Sequence, residues 1–420
     1  MRGDDGCVRN DVLVGFGIIG GMKALVFGYG RSGKAAEASL CRAGVSVTAL
    51  DGETAFPDGT FDVAVVSPGI ALEHPWIAEA KRRGIPLKSE LQLGCEELKR
   101  QGWKLLAVTG SKGKSSVVKV VADAISLSGR HAVACGNYGL PVCEVAGRRD
   151  EKRGTGDERW AVVEVSSFMM ETTELPADTF EAAAILNLQE DHLDRHGSVE
   201  VYHGLKRKLL TMAKRGVEGG APDGTDVTWA GSCFDNEILC GNAACATELM
   251  RAAGLDDVTI ARAFREFVPL PHRMNLVAEI DGVRYIDDSK ATSLAALVAG
   301  VKMASSLLPP PSSLLPRPSV HLIAGGLPKG DDPKIALSTL TERVKKVYLI
   351  GQSAEEFRAA WKSAVDCEIC GTMDVAVRSA KRDAGNGDTV LLSPGTASFD
   401  QFKSFGERGD VFARLVQKGK

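Results

Sequence analysis

The chain has 420 residues, of which 44% are hydrophobic and 25% charged, and carries a formal net charge of −3, the composition of a globular protein of about two to four domains. So balanced a charge excludes a global basic field, and with it nucleic acid or an anionic membrane surface as the expected partner; an anionic ligand has to be held by local devices. Ten cysteines lie scattered without a framework and are expected to be reduced thiols of a cytoplasmic protein, while the one close pair, Cys367 and Cys370, lacks the further ligands that a zinc site needs.

Residues 12–22 are apolar and glycine-rich but too short to span a bilayer, and Asp4 and Asp5 do not suit the start of a signal peptide. Patterned sequence begins at Met22 and Lys23, so the first residues read as an upstream extension or a start-site artefact. From there, apolar runs of strand length alternate with helix-length segments, which predicts an α/β protein with parallel sheets. A strand over Lys23–Phe27 runs into Gly28-Tyr29-Gly30-Arg31-Ser32-Gly33; a helix follows to Ala43, and a second strand, Val45–Leu50, ends at Asp51. Strand, G-x-G-x-x-G, helix, strand, acid is the dinucleotide fingerprint. It suits a nicotinamide dehydrogenase, or any fold that seats a pyrophosphate at a helix N-terminus. A third strand, Asp62–Val66, leads to Ser67-Pro68-Gly69-Ile70, readable as an ordinary turn or as one whose N–H groups face a phosphate.

A second unit opens with the strand Trp103–Val108 and continues into Thr109-Gly110-Ser111-Lys112-Gly113-Lys114-Ser115-Ser116. This is a phosphate loop two residues shorter than the common form: its glycines let the backbone wrap phosphates, Lys114 supplies point charge, and the Ser115 hydroxyl is a magnesium ligand. Two loops of this kind weigh against a dehydrogenase. The strand Ala161–Val165 contains Glu164, and Ala182–Leu188 leads to Glu190-Asp191-His192-Leu193-Asp194; ligands of open α/β sheets collect at such strand ends. A carboxylate inside an apolar strand needs a partner cation, which is either magnesium or a structural ion pair. After the proline-bracketed linker Pro269-Leu270-Pro271-His272-Arg273, strands are predicted at His321–Ala324, Lys346–Ile350 and Thr389–Ser393, with a Ser-, Leu- and Pro-rich surface insertion at residues 305–318.

Several of these segments together resemble the Mur ligases, from Met22 to the C-terminus. Gly110 to Ser116 is similar to the family's G-T-N-G-K-S-T, Asn137-Tyr138-Gly139-Leu140-Pro141 to its N-I-G-x-P, Glu164 to Phe168 to its E-L-S-S-F, and Asn187 to Arg195 to its N-x-x-x-D-H-x-D-R. Tyr202 to Lys206 sits at its Y-x-x-x-K, Asp287 to Ser293 at its N-D-S-K-A-T-N, and Leu392 to Phe402 at L-S-P-A-x-A-S-x-D-Q-F, a motif of the D-glutamate-adding branch. Met169 replaces a glutamine expected to touch the muramoyl substrate, Leu239 replaces the first Asn of an adenine-gripping H-N-x-x-N whose last residue is Asn242, and the stretch from Lys206 to Asn242 is short for the family.

The resemblance implies three domains: residues 22–102 for a UDP-substrate, 103–270 for ATP with a central sheet reduced by the short stretch, and 271–420 for the amino acid. It implies a monomer that adds D-glutamate to UDP-N-acetylmuramoyl-L-alanine with ATP, through an acyl phosphate. ATP would meet Gly110, Ser111, Lys112, Gly113, Lys114, Ser115, Ser116, Asn242, Arg273, Asp288 and Lys290. The UDP-substrate would meet Gly28, Tyr29, Gly30, Asp51, Ser67, Pro68, Gly69, Asn137 and Ser166, and D-glutamate would meet Thr292, Lys329, Ser398, Phe399 and Phe405. Two magnesium ions would be held, one by Ser115 and Glu164, the other by His192 and a carbamylated Lys206; Lys114, Glu164, His192 and Lys206 would be the catalytic set. A solvated helix lysine, like Lys208, is the other reading of Lys206. A sister ligase with another amino acid and a non-catalytic nucleotide-binding relative are the alternatives.

Overall fold

Three runs of short apolar strands, most of them followed by a helix, build three separate sheets. The computed structural model describes residues 21–148, 158–219, 228–230, 232–236, 238–306 and 319–418; most of the insertion expected at 305–318 lies outside the described residues. The first sheet is all-parallel, in the order Ser46–Leu50, Lys23–Phe27, Val63–Val66, Leu87–Ser89. The second is all-parallel with five strands: His131–Gly136, Arg159–Glu164, Lys104–Thr109, Ala182–Ile185 and Gly216–Glu218. The third runs Asn275–Ile280, Val283–Asp287, Thr389–Leu392, Val320–Gly325, Val344–Ile350, Asp366–Gly371, with only the first pair antiparallel.

The central strands Leu105–Val108, Ala161–Val163 and Ala182–Ile185 are fully buried, as expected of strands covered by helices on both faces. The helix Lys114–Leu127 lies on one face with Val117, Val118, Val121 and Ile125 in the core, beside Leu249 and Met250 of the helix Cys240–Ala252. On the other face, Leu91, Cys95 and Leu98 of the helix Glu90–Arg100 meet Val142 and Val145 of the helix Val142–Gly147. Among the described residues no helix is long and apolar enough to cross a membrane.

Contacts divide the chain into two compact units with the boundary between Phe267 and Val268. The first two sheets share a unit, so the divide expected at residues 102/103 falls inside it. The cause is the helix Val142–Gly147, which belongs to the second sheet by sequence yet packs Cys143 into the core of the first, beside Leu93 and Ala36. Gly94 permits the approach: a Cβ there would stand 2.6 Å from Val142 Cβ and 2.7 Å from the Cys143 nitrogen. Arg42 donates to the Cys143 carbonyl at 3.2 Å, and the Cys143 N–H donates to Glu90 Oε1 at 2.7 Å. Burial pushes the Glu90 carboxyl up to about 7.

In the second unit, Cys367 and Cys370 lie three apart on the strand Asp366–Gly371, so their side chains leave opposite faces. Cys367 packs near Phe357 and Trp361, and Cys370 among Tyr348 and Met373. The two thiols cannot share an ion.

The seam at Gly94 yields a stability prediction. Gly94→Ala should cost about 1–3 kcal/mol by overpacking, read as a fall in the urea midpoint. Gly204→Ala, on the exposed face of the helix Val199–Lys208 with nothing near the added methyl, should raise stability by about 0.5–1 kcal/mol. Equal effects at the two sites would refute the packing account.

Candidate active site

The strand Lys104–Thr109 ends in a loop whose Gly110 and Gly113 have φ of 149° and 85°, a region in which an L side chain is strained. Gly113 caps the helix Lys114–Leu127 without a side-chain hydrogen bond, and a helix start after a glycine loop is a place that favours an anion. Lys114 folds back over the loop, its Nζ donating to the carbonyls of Gly110 at 2.7 Å and Ser111 at 3.2 Å, while Ser115 is buried. Ser111 Oγ donates to the Gln189 carbonyl at 2.9 Å and lies 3.1 Å from the Tyr202 hydroxyl.

The far side of the loop is held by Asn187, a motif residue to which the sequence assigned no task. The strand before it ends at Ile185 rather than Leu188, because the chain turns there to serve the loop. The Asn187 carbonyl accepts from Ser111 N at 3.0 Å, and its amide accepts from Lys112 N and donates to Lys112 O, both at 2.9 Å. The same amide donates at 3.2 Å to Asn242 Oδ1. Asn242 is buried against the loop, where a Cβ at Gly113 would stand 2.1 Å from its Nδ2. Leu239 precedes that helix and offers it no cap bond.

Facing the loop are two buried charged groups. Glu164, 2% exposed at the end of its strand, accepts from Asn137 Nδ2 at 2.6 Å through Oε1, while its buried Oε2 has no hydrogen-bond partner. Lys206 is 1% exposed; its Nζ donates to the Gly110 carbonyl at 3.0 Å and lies 4.5 Å from the centre of the Tyr202 ring. Burial, and next the charge of Lys114, lower its pKa to about 7 against the pull of Asp191 and Glu164. Lys208, by contrast, is half-buried and paired with Glu174 at 2.6 Å. His192 takes a left-handed φ of 55°, its ring 4.8 Å from that of Phe168, and its neighbour Asp191 pairs with Lys112 at 3.0 Å.

These donors fit a divalent cation. The unpaired Glu164 oxygen and the Ser115 hydroxyl are hard oxygen ligands, the kind magnesium takes. Among the described residues no group of three or more His, Cys, Asp or Glu is arranged to hold an ion alone, so the ion has to draw on hydroxyl, phosphate and water as well, which is magnesium's habit at phosphate sites.

In the first sheet, Gly28 has φ of 83° and its carbonyl accepts from Ser67 Oγ at 2.7 Å. Tyr29 N donates to Asp51 Oδ1 at 3.3 Å, so the acid of the fingerprint braces the glycine turn. A Cβ at Gly33 would fall 2.0 Å from the Gly28 carbonyl oxygen, and none at Gly30 or Gly69 would meet anything within 4 Å. Arg31, beyond Gly30, donates to the Gly139 carbonyl at 2.8 Å, which brings the glycine turn and the Asn137–Pro141 turn together; Pro68 is half-buried. Ser166 Oγ caps a four-residue helix by accepting from Met169 N at 3.3 Å. Met169 itself is buried in the core with Val165 and Val142, so this position carries packing here.

In the second unit, Leu327 and Ala397 pair through backbone hydrogen bonds of 3.0 and 3.2 Å, which sets the segment of exposed Lys329 beside that of buried Ser398. Phe399 is 70% exposed, Thr292 is half-buried, and Phe405 lies 4.0 Å beneath Lys290 Nζ. Asp288 accepts from Ser393 Oγ at 2.9 Å, and burial pushes its carboxyl up to about 7. The backbone N–H of Arg273 donates to Asn275 Oδ1 at 2.9 Å. A residue the sequence did not single out ties the two C-terminal motifs: fully buried Arg408 donates to Ser289 Oγ and O at 3.0 and 2.9 Å, and to the carbonyls of Thr396 and Ala397 at 3.1 and 3.2 Å. Burial lowers its pKa to about 10.

Residues 108–217 match the Mur ligase middle domain, and residues 272–395 the Mur ligase, glutamate ligase domain. The UDP-N-acetylmuramoylalanine–D-glutamate ligase of Acidobacterium capsulatum is 32% identical over 94% of this chain and 96% of its own. The protein of the same name from Nitratidesulfovibrio vulgaris is 33% identical over 96% and 97%. Among solved structures, the UDP-N-acetylmuramate-alanine ligase MurC of Thermotoga maritima has a TM-score of 0.60 at 16% identity, covering 95% of this chain and 100% of that one. The MurF ligase of Thermotoga maritima in complex with ADP has a TM-score of 0.57 at 14% identity, covering 96% of each chain. The two structures share the fold.

The buried Lys206 makes a prediction of sign. With a folded pKa of about 7 and an unfolded value of about 10.4, the unfolded chain binds the extra proton between these values, so stability rises with pH there. Lys206→Met, in buffer free of carbon dioxide, should therefore melt higher than the parent at pH 6, and the difference should shrink as pH rises from 7 towards 10. A difference that does not change with pH would mean the amine is not desolvated.

Proposed function

This chain belongs to the Mur ligase family, and we propose that it is a D-glutamate-adding ligase that extends UDP-N-acetylmuramoyl-L-alanine at the cost of ATP. The observation that carries the substrate choice is the likeness, over some 95% of the chain and through the third sheet, to relatives of that name. The observation that carries the chemistry is the phosphate loop facing the unpaired oxygen of Glu164.

A carboxylate is no acylating agent until its oxygen is made a leaving group. The alanyl carboxylate takes the γ-phosphoryl group of ATP, releasing ADP; the amine of D-glutamate then adds to the acyl carbon, loses a proton, and phosphate departs. Such transfer depends on positioning and charge neutralisation. The N–H groups at the helix start, Gly113 to Ser116, and the Lys114 ammonium hold the β- and γ-phosphates, while Asn187, which takes the N–H groups of Ser111 and Lys112, and Asn242 fix the loop. Ser115 and Glu164 would hold one magnesium ion and His192 and Lys206 a second, and the ions would supply neutralisation of the charge that develops on transfer.

Lys206 is read as carbamylated in the active enzyme. A protonated amine beside a divalent ion would be repelled, whereas a lysine whose burial favours the neutral amine is a nucleophile for carbon dioxide, and the carbamate offers an oxygen. In the first sheet, Gly28, Tyr29, Gly30 and the Ser67–Gly69 turn receive the UDP-substrate, with Asn137 and Ser166 at its muramoyl end. In the second unit, Arg273, Asp288 and Lys290 attend the nucleotide, and Thr292, Lys329, Ser398, Phe399 and Phe405 receive D-glutamate, Lys329 opposite a carboxylate. Residues 22–102, 103–270 and 271–420 thus take the UDP-substrate, ATP and the amino acid. We read the protein as a monomer that acts in the cytoplasm.

Phosphate release should require UDP-N-acetylmuramoyl-L-alanine and D-glutamate together, and L-glutamate should not replace D-glutamate; equal rates with L-lysine or L-alanine would reject the assignment. Lys206→Ala should lose most activity, and millimolar acetate or formate should restore part of it by filling the vacated carboxylate position. An alanine variant of near-normal turnover, indifferent to these anions, would remove the carbamate from the mechanism.

A further inference from the structure

Arg195 closes the motif that contains His192, yet nothing above gives it a task. Its guanidinium Nη2 donates to the Ile70 carbonyl at 2.7 Å and reaches the Pro68 carbonyl at 3.4 Å. Nη2 and Nε also donate to the two oxygens of Glu171, at 2.6 and 3.0 Å. The group is mostly buried, with its carbon 5.1 Å from the centre of the Phe168 ring. A guanidinium presents its N–H groups in one rigid plane, so these acceptors fix its orientation as well as its place.

The other end of the residue works on His192. Arg195 N donates to the His192 carbonyl at 3.1 Å, and His196 N does so at 3.0 Å; these bonds close the short turn that holds His192 in its left-handed conformation. The Phe168 ring that meets the guanidinium also meets the His192 ring at 4.8 Å. His196 joins the same assembly, Nδ1 lying 3.4 Å from Glu171 Oε1 and Nε2 3.0 Å from Ser167 Oγ. One residue therefore grips, with its side chain, the carbonyls of the turn read as the seat of the UDP-substrate and, with its backbone, the turn of a catalytic histidine.

We propose that Arg195 is a positioning residue that couples occupancy of the Ser67–Ile70 turn to the setting of His192, so that the UDP-substrate and the metal–nucleotide strengthen each other's binding. The inference rests on the functional reading above and extends it. A ligand seated on the turn restricts the Pro68 and Ile70 carbonyls; they restrict the guanidinium, and with it the His192 turn. The free energy is shared in both directions, because coupling between two binding sites is reciprocal. A staple that merely joins the two sheets would add stability without linking the ligands.

Calorimetric titration of the full chain separates these cases. The dissociation constant of magnesium β,γ-imido-ATP is measured alone and with saturating UDP-N-acetylmuramoyl-L-alanine, for the parent, Arg195→Met and Glu171→Gln. The parent should bind the nucleotide at least about 5-fold more tightly when the UDP-substrate is present, the lower end of ordinary coupling. In Arg195→Met that factor should fall to within about 2-fold of unity, while each ligand alone binds within about 3-fold of the parent. Glu171→Gln keeps the carbonyl contacts but removes the anion, and its factor should lie between. A folded Arg195→Met with the parent's coupling overturns the proposal, as does a parent that binds both ligands independently. Should Arg195→Met fail to fold, unchanged coupling in Glu171→Gln overturns it equally. A parent that does not bind the UDP-substrate defeats the functional reading itself, a result distinct from binding without coupling.

Discussion

Two buried charges with too few partners organise the first unit. Lys206 has a backbone carbonyl as its hydrogen-bond acceptor, and Glu164 leaves one oxygen without any. Taken from water, each group is destabilising, and neither is matched by a direct ion pair with the other. The surrounding elements make sense as the means of holding them nonetheless: five parallel strands bring Glu164 and the phosphate loop to the same carboxyl end of the sheet, and the helix Val199–Lys208 lays Tyr202 and Lys206 along one face beneath the loop. A fold that tolerates such a deficit leaves it to be met by cation and phosphate, which is where natural proteins break the rules of their own interiors.

The loops that hold phosphates were legible because the chemistry restricts them to few residues. Gly110, Gly113 and Gly28 stand where φ is positive, and each follows an apolar strand and precedes a helix. The buried strands were legible for the related reason that each is a short apolar run bounded by turn residues. The hairpin Asn275–Asp287, whose two strands pair with each other across the turn at Asp281 and Gly282, and the three-residue edge strand Gly216–Glu218, paired with Ala183–Ile185, carry no such run, and backbone pairing rather than apolar pattern makes them strands.

What sequence could not carry is work done on backbone carbonyls far away. Asn187, Arg195 and Arg408 bond to segments 75, 125 and 119 residues distant, and no spacing rule announces an acceptor that every residue possesses. The substitution at Met169 is a second case. From sequence it is the loss of a polar contact with substrate; in the folded chain it is a methionine among Val142 and Val165. Asn242, expected at the adenine, shows the same ambiguity, since its visible partners are Asn187 and the loop backbone at Gly113.

The seam at Gly94 bears on how the chain is made. Leu91, Cys95 and Leu98 lie on a helix completed by residue 100, and the residues that cover them, Val142, Val145 and Ala146, come some forty positions later. Synthesis proceeds from the N-terminus at about 5–20 residues per second, so for several seconds the first sheet emerges with an apolar flank uncovered. That interval, rather than any weakness of the finished molecule, is when the nascent chain is most open to chaperones and to misassociation, and a ribosome stalled between these two helices would present the hazard in its most lasting form.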